Sequence, residues 1–322
     1  MLESFTRMIG GRRGLRGGIA PKSRVPEVAA LTMVHRSPVI LRKWVDHYGK
    51  LLGQHNLFII SHGVCDQHAE VVAGCNYMVV PRDFSEDVAR LKAIVLTRVS
   101  TALLSIYQGV VVGDADEMIV LDPAAGPNLR DYVLDIPDDR VLAPIGFHII
   151  PEDAYYDGHR RATIEAPLLS QVNRVVFDAE FCKPSILRRP VEFWLGQHGL
   201  IGDRFDVDSN LALFHLKFLA LNEVADYEEL AGEVLAELGP GKPPRQELWS
   251  KGFEGLRERA AHYADPQPGL KVCEPRRAAE GMYALSKPAV TRAFRTRAHL
   301  YRAVEVREAR PFAVAQPWPD LV

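Results

Sequence analysis

The first sustained apolar stretch runs from Val28 to Val34 with a single threonine in it, too short for a helix core and unbroken by a polar alternation. Such a run predicts a strand buried on both faces. A polar loop, His35-Arg36-Ser37-Pro38, follows it. Beyond the loop Val39, Leu41, Trp44, Val45 and Tyr48 recur at helical spacing, so the pattern predicts a helix opened by Ser37 or Pro38, with Gly53 closing that region. Asn56–Ile60 reads as a second strand that ends in Ser61-His62-Gly63, and Tyr77–Val80 as a short third. Val88–Tyr107 carries the period of a long amphipathic helix. It leads directly into the run Val110-Val111-Val112, and apolar character resumes at Met118–Leu121. Strand, helix, strand, strand, helix, strand predicts an α/β fold: a mostly parallel, Rossmann-like sheet flanked by helices. Ligands of such sheets bind at the carboxyl ends of the strands. The loops at His35, Ser61 and Asp114 all lie there.

The second half is less regular. Short strands are predicted at Asp131–Ile136 and Val141–Ile149, and the runs Val191–His198 and Leu211–Phe218 each bring a histidine to or near an apolar end. After about residue 222 the pattern turns helical, breaks at 239–244 (Gly-Pro-Gly-Lys-Pro-Pro), and resumes as helices at about 245–264 and 278–304 before an extended tail. Three regions result: a Gly- and Arg-rich arm over 1–25, an α/β domain over 26–222, and a helical C-terminal extension over 223–322.

Composition narrows the classes. The chain has 322 residues, 47% hydrophobic and 25% charged, with a net charge of -2. That is the profile of a soluble globular protein with no global attraction to nucleic acid. No apolar run approaches the ~18 residues of a membrane span, and the first residues lack the apolar core of a secretory signal. The four cysteines are scattered, which argues against a zinc ribbon or a disulfide framework. The expectation is a cytoplasmic protein. Its basic arm, with Arg292, Arg295, Arg297 and Arg302, offers surface for peripheral contact with anionic lipid, and the C-terminal extension could also serve in oligomerisation.

The candidate chemistry sits where Val112 gives way to Gly113-Asp114-Ala115-Asp116-Glu117. Three carboxylates in four residues, between two strands of buried type, are costly unless neutralised. A divalent cation does this with hard oxygen ligands and can carry a substrate's phosphates on its open face. The competing account is an ordinary turn with solvated acids.

This segment and its surroundings resemble the family 2-like and family 92-like GT-A glycosyltransferases of bacterial polysaccharide clusters. The resemblance runs from about Pro26 to Asn222. It rests on the helix Leu41-Arg42-Lys43-Trp44-Val45-Asp46-His47-Tyr48, the loop Ser61-His62-Gly63 and the strand-borne Asp114-Ala115-Asp116-Glu117. Later elements are Lys183-Pro184, Gly196-Gln197-His198 and Leu213-Phe214-His215-Leu216-Lys217. It departs in its first two loops, where an acidic residue is usual and His35 and Ser61-His62 stand instead. The resemblance implies transfer of a sugar from a nucleotide-sugar donor, UDP-linked first of all, to a saccharide or lipid-linked acceptor. It implies Mn2+ or Mg2+ on Asp116, with Asp114 nearer the ribose or a metal-bound water, and Glu117 bracing the loop. A distant histidine would supply a third ligand: His198, which Gly196 lets approach closely, or His215. His35, Ser61, His62, Arg98, Lys183 and Lys217 would contact the nucleotide. Asp153 and Asp208 are the candidates for a base at the acceptor. Two other functions compete: a non-catalytic carbohydrate-binding or scaffold module, and an Asp-dependent phosphohydrolase, whose motif would continue with Thr or Val rather than Glu117-Met118.

Overall fold

The computed structural model describes residues 25–82, 88–149 and 174–216, with short pieces at 167, 170, 272–273, 275, 300–301 and 312–314. Strand β1 (Val25–Val34) leads into helix α1 (Pro38–Leu52), strand β2 (Leu57–His62), a single helical turn α2 (His68–Val71), strand β3 (Asn76–Val80), helix α3 (Val88–Leu103) and strand β4 (Tyr107–Val112). These strands lie in the order β3-β2-β1-β4, every neighbouring pair parallel. Alternate residues of β1 divide between two cores. Val28, Ala30 and Val34 pack on one face, and Ala29, Leu31 and Met33 on the other. The first face is covered by Leu41, Trp44 and Val45 of α1, the second by Ala93, Leu96 and Leu103 of α3. Burial on both faces is why β1 shows no polar alternation.

The chain then turns into strand β5 (Glu117–Leu121), helix α4 (Leu129–Asp135), strands β6 (Val141–Ile149), β7 (Arg174–Phe177), β8 (Ile186–Leu187), β9 (Leu200–Ile201) and β10 (Asp206–His215). Strand β8 pairs antiparallel with both β4 and β6 and so joins the two halves of the sheet. Strand β10 lies parallel to β6 and antiparallel to β5. The α/β expectation therefore holds: a curled central sheet flanked by helices, with antiparallel pairings added in its second half.

Two expectations are corrected. Asp131–Ile136 is not a strand but part of α4. The Asn128 side chain accepts a hydrogen bond from the Asp131 N–H at 2.8 Å, an N-cap that outweighs the β-branched residues following it. Leu129 and Val133, one turn apart, face the core. In the C-terminal stretch the described strands are β11 (Val272–Cys273), β12 (Leu300–Tyr301) and β13 (Phe312–Val314); β12 falls at the end of the helix expected over about 278–304, while β13 lies in the tail expected to be extended. Strand β13 pairs with β7 and β11, and β12 pairs with β9. Cross-strand pairing to elements 100 residues away leaves no local periodicity to read. The other helices expected there lie outside the described residues. Among the described residues no helix is long and apolar enough to cross a membrane.

Among the described residues strand β5 pairs only with β10, and α1 closes its other edge. The Tyr48 hydroxyl accepts from the Ile119 N–H at 3.0 Å and donates to the Glu117 carbonyl at 3.3 Å. His47 Nε2 donates to the Ile119 carbonyl at 2.9 Å. Two side chains thus do for β5 what a neighbouring strand would do. Tyr48→Phe strands the buried Ile119 N–H and is expected to cost about 1–3 kcal/mol in urea denaturation; an unchanged midpoint would show that water serves that edge instead. Burial pushes His47 down to about 4 from 6.5. Between those values the unfolded chain binds a proton that the folded chain refuses, so stability falls as pH is lowered from about 6.5 toward 4. His47→Gln, whose amide can still donate to Ile119, is expected to flatten that slope in denaturation curves taken at several pH values.

Candidate active site

Strand β4 is buried to its last residue, and the acids follow at once. Val112 donates to the Ser185 carbonyl at 2.8 Å, and Gly113 to the Leu31 carbonyl at 3.2 Å, so the turn starts from a fixed edge of the sheet. Glu117 closes it. Its Oε2 accepts from the Asp114 N–H at 3.1 Å, and its own N–H donates back to the Asp114 carbonyl at 3.1 Å. At the far side the Asp116 carbonyl accepts from the Leu216 N–H at 2.7 Å. Glu117 braces the loop, as the resemblance implied.

Two lysines meet these acids. Lys92, from α3, pairs with Asp114 Oδ1. Lys183, 2% exposed, lies 3.3 Å from Asp114 Oδ2 and 2.5 Å from Glu117 Oε1. Burial would raise the Asp114 carboxyl, but Lys183 and Lys92 overcome it and hold it well below the usual range. Burial also works against the Lys183 ammonium, and Asp114 and Glu117 outweigh it, so Lys183 stays charged. The ring of Phe181 lies 5.3 Å from its Nζ, a cation–π contact that covers the pair.

The third carboxylate, Asp116, faces an imidazole. Strand register explains why. His148 of β6, His215 of β10 and Glu117 of β5 are direct partners across three adjacent strands, so their side chains share one face at about 5 Å spacing. His215 Nε2 stands 3.2 Å from Asp116 Oδ2, and His215 Nδ1 lies 3.0 Å from His148 Nδ1. His148 Nε2 in turn meets Asp178 Oδ2 at 3.0 Å. Phe181 stacks on His215, centroids 4.1 Å apart, and closes the row from above. Burial lowers the His215 pKa, against the pull of Asp116, and favours the neutral imidazole.

The donor set therefore fits a divalent cation. One carboxylate oxygen each from Asp116 and Glu117 and one imidazole nitrogen of His215 lie within 4.8 Å of one another. Backbone strain marks the same edge. Gln197, at φ 63°, is 1% exposed and donates to the Val112 carbonyl at 3.1 Å, while its Oε1 is buried without a hydrogen-bond partner among the described residues.

The other expected site residues divide. Asp114, Asp116, Lys183 and His215 come together. His198 lies near the lysines but outside the cluster: its Nδ1 donates to the Glu180 carbonyl at 2.8 Å, and burial, then Lys183, lowers it to about 4. Arg98 is exposed on α3, and Lys92, nearly two turns earlier, is the cation of that helix at the acids. Both lie on one helix, and only the sheet's position decides which one arrives.

His35, Ser61 and His62 make local bonds at the ends of β1 and β2. His35 Nδ1 donates to the His62 carbonyl at 2.6 Å, and Ser61 Oγ to the Gly63 carbonyl at 2.7 Å. Buried His68 Nε2 holds the Arg36 carbonyl at 2.7 Å, where Arg36 and Ser37 are both left-handed, at φ 51° and 55°. Asp208 stands apart from the acids: it accepts from the Tyr132 hydroxyl at 2.5 Å and lies opposite Pro144 of β6, four residues before His148, so it fastens α4 to β10 roughly 13 Å along the sheet from His215. Asp153 and Lys217 lie outside the described residues. His148, Asp178 and Gln197 were missed as site residues. Only the His148–His215 pairing had a sequence signal, in two apolar runs of strand length each bearing a histidine at its end.

No protein-family model matches the sequence, and no curated protein sequence matches it. Among solved structures, mannose-1-phosphate geranyltransferase from Thermus thermophilus is similar at 14% identity over 39% of this chain and 42% of that one, with a TM-score of 0.25. The chain thus spans less than half the length of that enzyme, and at that score the likeness says nothing of function.

Removal of Lys183 is the sharpest test of the charge arrangement. Lys183→Met leaves Asp114 and Glu117 short of their buried counter-charge and is expected to cost about 3–5 kcal/mol in chemical denaturation. Lys92→Met, at a more open position, is expected to cost less. The reverse ranking would contradict the arrangement.

Proposed function

We propose that this protein is a metal-dependent glycosyltransferase that moves a sugar from a nucleotide-sugar donor to a saccharide or lipid-linked acceptor. One observation carries the reading: Asp116, Glu117 and His215 converge at the carboxyl edge of a parallel sheet, beside the lysines that hold Asp114. Asp116 and His215 would hold the cation, with Glu117 completing the donor set. Two carboxylates and an imidazole suit Mn2+ better than Mg2+, which prefers oxygen alone. The bound ion would offset the negative charge that gathers on a departing diphosphate.

The protein's own groups do the rest. Lys183 and Lys92 keep Asp114 ionised and supply positive charge beside the position of the diphosphate. The mutual bonds between Glu117 and the Asp114 backbone fix the loop before any ligand arrives, so little reorganisation is needed on binding. The loops at His35 and Ser61-His62 sit at the ends of β1 and β2, where a nucleotide on this edge would extend. UDP is the expected nucleotide.

Calorimetric titration with UDP, with and without Mn2+, tests the reading. UDP is expected to bind only when Mn2+ is present, and Asp116→Asn to abolish that binding while the fold persists by circular dichroism. Equal UDP affinity without the metal, or an unaffected Asp116→Asn protein, would refute the assignment. Release of phosphate from an aryl phosphate, lost in Asp114→Asn, would instead support the phosphohydrolase.

A further inference from the structure

The row Asp116–His215–His148–Asp178 contains three contacts between polar atoms at 3.0–3.2 Å. Each requires one hydrogen or one cation between its two atoms. A carboxylate can only accept, and a neutral imidazole carries one N–H. Two neutral imidazoles therefore supply two hydrogens for three contacts. One contact is left with two acceptors facing each other, to be filled by a third proton or by a metal ion.

The two ends of the row differ in what they can hold. At one end, Asp178 Oδ1 is occupied by the Glu180 N–H at 2.9 Å, which turns Oδ2 to His148 Nε2. The turn that carries Asp178 is seated on β6. Its N–H donates to the Gly146 carbonyl at 3.0 Å, and a Cβ at Gly146 would come within 2.7 Å of the Asp178 carbonyl and 2.5 Å of the Phe181 backbone. The place is built for a fixed carboxylate. At the other end, Asp116 and His215 share their pocket with Glu117, the third member of the donor set. A cation belongs at that end.

We propose that Asp178 and His148 are positioning residues that set the tautomer of His215 so that its Nε2 lone pair faces the cation pocket. Asp178 draws the N–H of His148 to Nε2. The bare His148 Nδ1 then accepts from His215 Nδ1–H, and His215 Nε2 is left as a donor of electrons to a metal. A metal-bound imidazole is ordinarily fixed by a carboxylate, a backbone carbonyl or a water on its far nitrogen. Here the fixing passes through a second histidine. The inference deepens the proposed function and rests on that reading of the pocket.

Asp178→Asn separates this role from simple packing. The Glu180 N–H keeps the new amide oxygen, so the amide nitrogen faces His148 Nε2 and donates to it. The order of the row reverses: His148 takes its hydrogen on Nδ1, and His215 carries one on Nε2, where the metal should bind. Binding of Mn2+ alone, counted by electron paramagnetic resonance of the free ion, is expected to weaken about 10- to 100-fold in Asp178→Asn. Asp178→Ala, which removes the bias without reversing it, is expected to weaken it less. If the role were packing alone, the isosteric Asn would be the milder change, and that ranking would overturn the proposal while leaving the metal site standing. Wild-type protein that binds no Mn2+ would overturn both. Imidazole nitrogen spectra of the Mg2+-loaded wild type give a check that no variant's folding can spoil. They are expected to show hydrogen on Nδ1 of His215 and Nε2 of His148; hydrogen on Nδ1 of His148 would contradict the proposal.

Discussion

Buried carboxylates must be met by charge, and that constraint organises this molecule. The sheet delivers Asp114, Asp116 and Glu117 at the end of a strand buried among largely apolar neighbours, where solvent cannot stabilise all three. Helix α3 answers with Lys92, and the loop before β8 with Lys183, as deeply buried as Glu117 and more so than Asp114. Holding Lys183 there constrains Phe181 above it and Ser185 below it, whose N–H donates to the Leu142 carbonyl at 3.1 Å. The segment between β7 and β8 is thus shaped by a charge requirement as well as by packing.

Asp116 is met differently, by an imidazole that strand register brings to it. Because His215 of β10 lies between His148 of β6 and Glu117 of β5, one row of the sheet brings three polar side chains to the turn that carries Asp116. The next row, Phe214 between Phe147 and Met118, points the other way and is buried, with the two phenyl rings stacked 5.8 Å apart. Slipping β10 by one residue would turn His215 to the other face and put an apolar side chain such as Phe214 against the acids. Stability and chemistry are therefore set by the same register. The stacked core holds the imidazoles in line.

Much of the first half of the fold was legible in the chain. The unbroken run at β1, the helical spacing of Leu41, Trp44, Val45 and Tyr48, and the carboxylates after Val112 each follow from local rules, and local rules suffice for a parallel α/β half. The acidic turn was readable for the same reason, whereas the part of Glu117 in it came only from the family resemblance. What escaped depends on long-range pairing. Asp208 and His215 sit on one strand and look alike in sequence, yet only one reaches the acids. Arg98 and Lys92 share a helix, and its rotation against the sheet selects the lysine. Asp178 gives no local sign of its role, because its partner lies thirty residues earlier on a strand whose register the sequence does not reveal. The helix at α4 was misread because a single cap at Asn128 decided against a run of strand-forming side chains.

The central claim is that Asp116 and His215 face each other in order to share a divalent cation. Anomalous scattering from crystals soaked in Mn2+, recorded at the manganese absorption edge, addresses it most directly. The account predicts one strong peak between the Asp116 carboxylate and His215 Nε2, with Lys183 still paired to Asp114 and Glu117. A pocket without a peak, its carboxylate and imidazole still in direct hydrogen-bonded contact, would contradict it.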